Sequence, residues 1–306
     1  MDRSAIPRGA VESQWVAPDG QAIRRIDWSG PETPRGSLLF LGGRGDAYEK
    51  YLETLCYWNR RGWAVTALDW RGQGGSGRLG TDAWTGHIDD FGTWVGDLAD
   101  FWAEWRAAGP GPYVVVAHSM GGHLALRALA ERRIDPAATV LCMPMLGFSG
   151  RLPRPVMNLL ARLMCRIGDR RRPAWKWGDK PGQPPEGRGA LLTHDAERYA
   201  DELWWREARP ETALGPGSWG WVERAAASMK VLEWPGFLEA VTAPVLLIAT
   251  AADRLVGLAA IERAAKRLPN ARLLRMDDAL HEVLREADPI RDRALAAIDE
   301  FLEAAR

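Results

Sequence analysis

An apolar strand, Val114-Val115-Val116-Ala117, runs directly into His118-Ser119-Met120-Gly121-Gly122-His123 and then into helix-forming Leu124-Ala125-Leu126-Arg127-Ala128-Leu129. A small-x-Ser-x-Gly string alone is common, but strand, tight turn and helix in this order form a nucleophile elbow, here with alanine at its first small position. The turn forces the backbones at 117 and 121 together, so both must be small. It thrusts the Ser119 hydroxyl out at the carboxyl edge of a sheet, where the N-terminus of the next helix favours developing negative charge. The plain alternative is an ordinary strand-to-helix turn with a capping serine.

Around this unit the sequence repeats a strand and helix rhythm. An alternating stretch over 11–28 breaks at Pro18-Asp19-Gly20 and reads as a hairpin. Short apolar runs follow at 37–41, 63–68, 113–117, 139–145, 244–250 and 271–276, separated by helix-length segments, which predicts an α/β fold with a mostly parallel central sheet flanked by helices. Helical spacing appears in Tyr48, Tyr51, Leu52, Leu55 and Cys56, and in Phe91, Trp94, Val95, Leu98, Phe101 and Trp102. A last helix over 288–304 is expected to pack against the final strand. Between 147 and 236 the rhythm breaks: nine of the 20 prolines and seven of the 16 tryptophans fall there, with no strand-like run. The expected organisation is a core of 1–146 and 237–306 with an inserted cap, or lid, over 147–236.

Formal net charge is zero, from 40 basic and 40 acidic residues, which argues against a nucleic-acid partner. Cys56, Cys142 and Cys165 stand far apart, without the spacing of a disulfide framework or a zinc site. The opening residues lack a signal-peptide core and no run of about 18 apolar residues occurs, so a cytoplasmic protein is expected.

A serine nucleophile needs a base and a group to orient it, and the usual order on such a sheet is serine, acid, histidine. Of the five histidines, His194 and His281 lie well beyond the elbow. His281 follows the last strand and a turn, Asp277-Asp278-Ala279-Leu280, that can return it to the carboxyl edge. His194 lies in the cap, and His87, His118 and His123 read as structural. Asp253, just past the run at 244–250, is the candidate acid, with Asp277 and Asp278 as runners-up and a helix N-cap as its plainer reading. The loop Leu41-Gly42-Gly43-Arg44-Gly45-Asp46 supplies backbone for an oxyanion hole, with the Arg44 and Met120 amides as candidates. It lacks the lysine and the glycine order of phosphate-binding loops, as does Arg71-Gly72-Gln73-Gly74-Gly75-Ser76-Gly77.

Together these residues resemble the α/β-hydrolases of the bacterial lysophospholipase and monoacylglycerol lipase branch, over nearly the whole chain. Gly42-Gly43-Arg44-Gly45-Asp46 is similar to that branch's H-G-x-G-E stretch, and Asp69-Trp70-Arg71-Gly72-Gln73-Gly74-Gly75-Ser76-Gly77 to its D-H-R-G-x-G-x-S loop. His118-Ser119-Met120-Gly121-Gly122 matches its nucleophile motif, Ala252-Asp253-Arg254-Leu255-Val256 its acid motif and His281-Glu282 its histidine motif. In the cap, Leu192-Thr193-His194-Asp195 and Gly220-Trp221-Val222 resemble the lysophospholipase side. Gly42 stands where many relatives have histidine and Ala117 where most have glycine; neither departure removes a triad member. The resemblance implies a serine ester hydrolase acting on a lysophospholipid or monoacylglycerol, without metal or organic cofactor. A carboxylesterase or aminopeptidase for small soluble substrates, and a non-catalytic binding protein of the same fold, stand as alternatives.

The cap also carries an amphipathic stretch. Val156, Leu159, Leu160, Leu163, Met164 and Ile167 share one helical face, while Arg154, Asn158, Arg162 and Arg166 recur on another. From Arg151 to Lys180 there are nine basic residues against Asp169 and Asp179. With Trp175 and Trp177 beside it, this helix suits an anionic lipid surface, which leaves open a peripheral position at the inner membrane face. The favoured alternative is a lid helix whose apolar face covers the pocket and whose arginines face water.

Overall fold

The computed structural model describes residues 2–150, 154–176 and 184–304. Eight strands form one sheet: β1 (Ala10–Val16), β2 (Ala22–Trp28), β3 (Ser37–Leu41), β4 (Ala64–Leu68), β5 (Tyr113–His118), β6 (Ala138–Cys142), β7 (Val245–Ala249) and β8 (Ala271–Arg275). Their order is β1-β2-β4-β3-β5-β6-β7-β8. The hairpin β1–β2 and the β2–β4 pair are antiparallel and every later pair is parallel, as the alternating opening and the apolar runs predict. β3, β6 and β7 are buried at every residue, the mark of strands covered on both faces. The run at 139–145 ends as a strand three residues early, because Met143 makes a last bond to the Ile248 carbonyl at 2.9 Å and, at a φ of 45°, turns the chain out of the sheet.

Helices α1 (Leu52–Arg60), α2 (Phe91–Ala108) and α3 (Ser119–Ala130) cross between the first parallel strands. Asp90 caps α2, its side chain accepting from the Gly92 amide. Between β6 and β7 lie α4 (Arg154–Arg166), α5 (Gly189–Leu192), α6 (Ala196–Ala208) and α7 (Trp219–Leu232), and no strand occurs there among the described residues. The chain closes with α8 (Leu258–Arg267), beside β8, and α9 (Asp288–Ala304). Instead of packing on the final strand, α9 lies over β7, one strand in from the edge, and reaches β8 through the Arg272 to Glu300 ion pair of 2.9 Å. No helix among the described residues is long and apolar enough to cross a membrane.

The amphipathic α4 corrects the expectation of an apolar face turned onto the pocket. Leu159, Leu163 and Ile167 are 69%, 51% and 64% exposed, and Val156 and Leu160 are exposed too. Ala161 is fully buried, and α4 packs against α7. A small residue permits close helix approach, so the narrow side of α4 faces inward and the branched side faces out. Arg162 and Arg166 are also exposed. Arg151, Trp177, Asp179, Lys180 and the side chain of Arg154 lie outside the described residues.

Candidate active site

Ser119 occupies the turn between β5 and α3 with a φ of 51°, a left-handed conformation that costs a side-chain-bearing residue about 1–2 kcal/mol. The crowding is visible at Gly121, where a Cβ would lie 2.4 Å from the carbonyl oxygens of Leu41 and Gly42. Only glycine lets the end of β3 approach α3 this closely. The elbow therefore brings the loop after β3 against the serine: a Cβ on Gly43 would lie 3.0 Å from the Ser119 Cβ.

His281 arrives from the loop after β8. Its Nδ1 lies 2.6 Å from Asp253 Oδ2 and its Nε2 3.0 Å from Ser119 Oγ. A carboxylate only accepts, so Nδ1 carries the proton and Nε2 presents its lone pair to the serine hydroxyl. Asp253 sits just past β7, and its other oxygen accepts from the Leu255 and Val256 amides at 2.7 and 3.0 Å. Burial pushes the Asp253 carboxyl up, but its hydrogen bond to His281, the histidine's charge and those two amides outweigh it and hold it below the ordinary value. The runners-up are elsewhere: Asp277 pairs with Arg275 at 2.9 Å, and Asp278 makes two hydrogen bonds to Arg293, both on the surface.

The other histidines make structural contacts. His87 Nδ1 meets Ser218 Oγ at 2.7 Å and His123 Nε2 meets Ser228 Oγ at 2.7 Å. Burial pushes the His123 imidazole down to about 3, so it is neutral. His194 is held by Glu286, 3.0 Å from its Nδ1.

The Met120 amide follows Ser119 directly in the chain, and the Arg44 amide follows Gly43, which abuts Ser119. Met120 N–H belongs to the first turn of α3, where no intrahelical acceptor exists. In the loop after β3, Gly43 N–H donates to Asp46 Oδ2 at 2.7 Å and Gly45 N–H to Gln73 Oε1 at 2.6 Å. The Arg44 amide between them has no acceptor among the described residues. Trp70 Nε1 adds a bond of 2.8 Å to the Gly42 carbonyl. The glycine-rich loop over 69–77 thus braces the oxyanion loop through Trp70 and Gln73, a role its motif alone did not reveal.

Three further residues brace the site: His118, read from the sequence as structural, Asp46, quoted there only as part of the loop motif, and Glu286, which the sequence reading did not single out. Asp46 ties the oxyanion loop to Lys50, 2.7 Å from its Oδ1, and to Tyr51, 3.0 Å from its Oδ2. Burial raises the Asp46 carboxyl, but the Lys50 charge and the His118 contact overcome this and hold it well below the usual range. His118 Nε2 donates to the His281 carbonyl at 3.1 Å, and buried Glu286 accepts from the Leu280 amide at 2.7 Å. The loop bearing His281 is therefore clamped on both sides.

A cavity of about 790 Å³ opens on Ser119 and His281. Met145, Phe148, Leu191, Trp221, Val222 and Leu255 give it a largely apolar wall. Trp175 lines it too, with the Arg44 guanidinium 5.3 Å from its ring, so it serves the cavity and does not extend the α4 face.

A serine on a strained strand-to-helix turn, with acid and histidine delivered by later loops of one mostly parallel sheet, defines the α/β-hydrolases. The family model described as serine aminopeptidase, S33, matches residues 32–288. The chain belongs to that family, in its lysophospholipase and monoacylglycerol lipase branch. It is 31% identical to lysophospholipase L2 of Escherichia coli (strain K12) over 304 residues, covering 95% of this chain and 86% of the relative. It is 26% identical over 270 residues to a probable lysophospholipase L2 of Haemophilus influenzae, covering 88% and 84%. Its fold is similar to that of a soluble variant of monoglyceride lipase from Saccharomyces cerevisiae, with a TM-score of 0.74 at 16% identity, covering 97% of each chain.

Proposed function

We propose that this carboxylic ester hydrolase cleaves lysophospholipids through an acyl-enzyme on Ser119, with His281 as base and Asp253 as its orienting carboxylate. The observation that carries the reading is the continuous hydrogen-bonded line from Asp253 through His281 to Ser119, at 2.6 and 3.0 Å, opening on an apolar cavity. Ser119 Oγ attacks the ester carbonyl carbon as its proton passes to His281 Nε2, and the Asp253 carboxylate stabilises the imidazolium. The oxyanion takes the Arg44 and Met120 amides. Collapse breaks the bond to the alcohol, which leaves with the proton from His281. Water, deprotonated by His281, then attacks the acyl-enzyme, and Ser119 recovers its proton as the fatty acid departs. The similarity to the lysophospholipase L2 proteins favours this substrate class.

The test is hydrolysis of p-nitrophenyl acetate, butyrate, octanoate and palmitate, followed by lysophospholipid and monoacylglycerol. Rates rising with chain length are expected, because each methylene buried in the apolar cavity contributes about 0.8 kcal/mol. A preference for acetate or butyrate would replace the lipid reading with that of a soluble esterase.

The segment 147–236 acts in this reading as the cap, and the outward face of α4 as its contact with lipid. Leu159, Leu163 and Ile167 supply exposed apolar surface beside exposed Arg162 and Arg166, as interfacial helices do. Burying one leucine contributes about 1.5–3 kcal/mol, so Leu159→Asp with Leu163→Asp should weaken binding to anionic vesicles by at least about 100-fold in a sedimentation assay. Arg162→Glu with Arg166→Glu should weaken it mainly at low salt. Unchanged binding in both pairs removes the lipid contact.

A further inference from the structure

The Arg44 side chain has an environment that its backbone role does not explain. Its guanidinium lies over the rings of both Trp175 and Trp221, 5.3 and 5.1 Å from their centres. Nη2 donates to the Gly215 carbonyl at 2.8 Å, while Nε is buried with no acceptor among the described residues. Gly86 makes room for the group, since a Cβ there would lie 2.9 Å from Arg44 Nη2. No carboxylate pairs with Arg44 among the described residues. The near ones are committed, Asp46 to Lys50 at 2.7 Å and Glu282 to Arg285 at 2.6 Å, while Glu186, on the same wall, is exposed.

Arg44 is half-buried, and a cation partly withdrawn from water without a counter-charge is costly. Burial, together with the positive charges of Arg188 and Arg206 and against the pull of Asp46, pushes the Arg44 guanidinium down to about 9, so it remains protonated at neutral pH. Arg188 also lines the cavity, although its own charge is met by Glu202 at 2.7 Å, and Arg254 stands exposed there. Arg44 follows Gly43, the residue that abuts Ser119, and lines the same cavity as Ser119 and His281.

We infer that the Arg44 guanidinium, backed by Trp175 and Trp221, is the recognition site for the phosphate of a lysophospholipid head group, and that it selects phosphate-bearing esters over neutral monoacylglycerols. The planar guanidinium offers N–H donors to phosphate oxygens: Nη2 is held by Gly215 and Nε is buried, so Nη1, with no acceptor among the described residues, supplies them. Glycerol without phosphate leaves this cation uncompensated. The inference rests on the ester-hydrolase reading for its natural ligand, but binding can be measured without turnover.

The experiment uses the full chain and uncleavable ethers in calorimetric titrations: 1-O-octylglycerol 3-phosphate, neutral 1-O-octylglycerol, and inorganic phosphate. The phosphate ether should bind at least about 10-fold more tightly than the neutral ether, the range of one hydrogen bond to a charged group. Arg44→Gln should erase that ratio and Arg44→Lys should retain part of it. Equal binding of the two ethers by the wild type overturns the inference, even if the variants fail to fold. A ratio that survives in Arg44→Gln overturns it as well. Inorganic phosphate binding as tightly as the phosphate ether would make this a free-phosphate site and overturn the head-group assignment. Failure of the hydrolase reading looks different: Arg44-dependent binding of the phosphate ether would persist, with no serine-dependent cleavage of any ester.

Discussion

Ser119→Ala should lower turnover of any accepted ester by at least about 10⁴-fold while leaving the thermal midpoint nearly unchanged, since removing a nucleophile typically abolishes all but the contribution of binding and oxyanion stabilisation. The stability half of this expectation comes from the local structure. Among the described residues the Ser119 hydroxyl has one side-chain partner, His281 Nε2 at 3.0 Å, and alanine fits the same volume. The φ of 51° is unfavourable for serine and alanine alike, so the strain cancels in the comparison. A fluorophosphonate probe should label the wild type once, at Ser119, and leave the alanine variant unlabelled in a mass measurement. Retained turnover in Ser119→Ala would remove the serine mechanism, and with it the acyl-enzyme.

Much of this site was legible because its signals are local. The elbow is contiguous, so Val114 to Leu129 could be read as strand, turn and helix before any contact was known. The order of serine, acid and histidine then singled out Ser119, Asp253 and His281, whose side chains meet in the structure. What was illegible depends on pairs distant in sequence. Asp46 with His118, Gln73 with Gly45, and Glu286 with the Leu280 amide are closed by tertiary packing, and no spacing rule reports them. Arg44 was read only as a backbone amide, because sequence does not show that its guanidinium lacks a carboxylate. The α4 face failed for a different reason. Periodicity identifies which residues share a side, not which side is covered, and the inward side was chosen by the small Ala161 and not by the branched Leu159 and Leu163.

The second large effect separates the acid from its neighbours in sequence. Asp253→Asn should lower kcat by about 10⁴-fold with little change in KM, because an amide in this place reverses the histidine tautomer. The geometry fixes which way the amide points. Asp253 Oδ1 accepts from the Leu255 and Val256 amides at 2.7 and 3.0 Å, so asparagine must keep its carbonyl oxygen there. Its NH2 group is then aimed at His281 Nδ1, which can respond only by offering a lone pair and moving its proton to Nε2. The nitrogen that should accept the Ser119 proton now carries one. Because the Asp253 carboxyl is held below its ordinary value in the wild type, protonation should mimic this defect only at a pH below the range in which a free aspartate titrates. Asp278→Asn breaks only a surface pair with Arg293, and should stay within about twofold of wild type, as surface substitutions do. Steady-state kinetics on one long-chain ester decides the matter: the reverse ranking would move the acid to the β8 loop, where it would have to reach His281 by a rearrangement that the 2.6 Å Asp253 contact opposes.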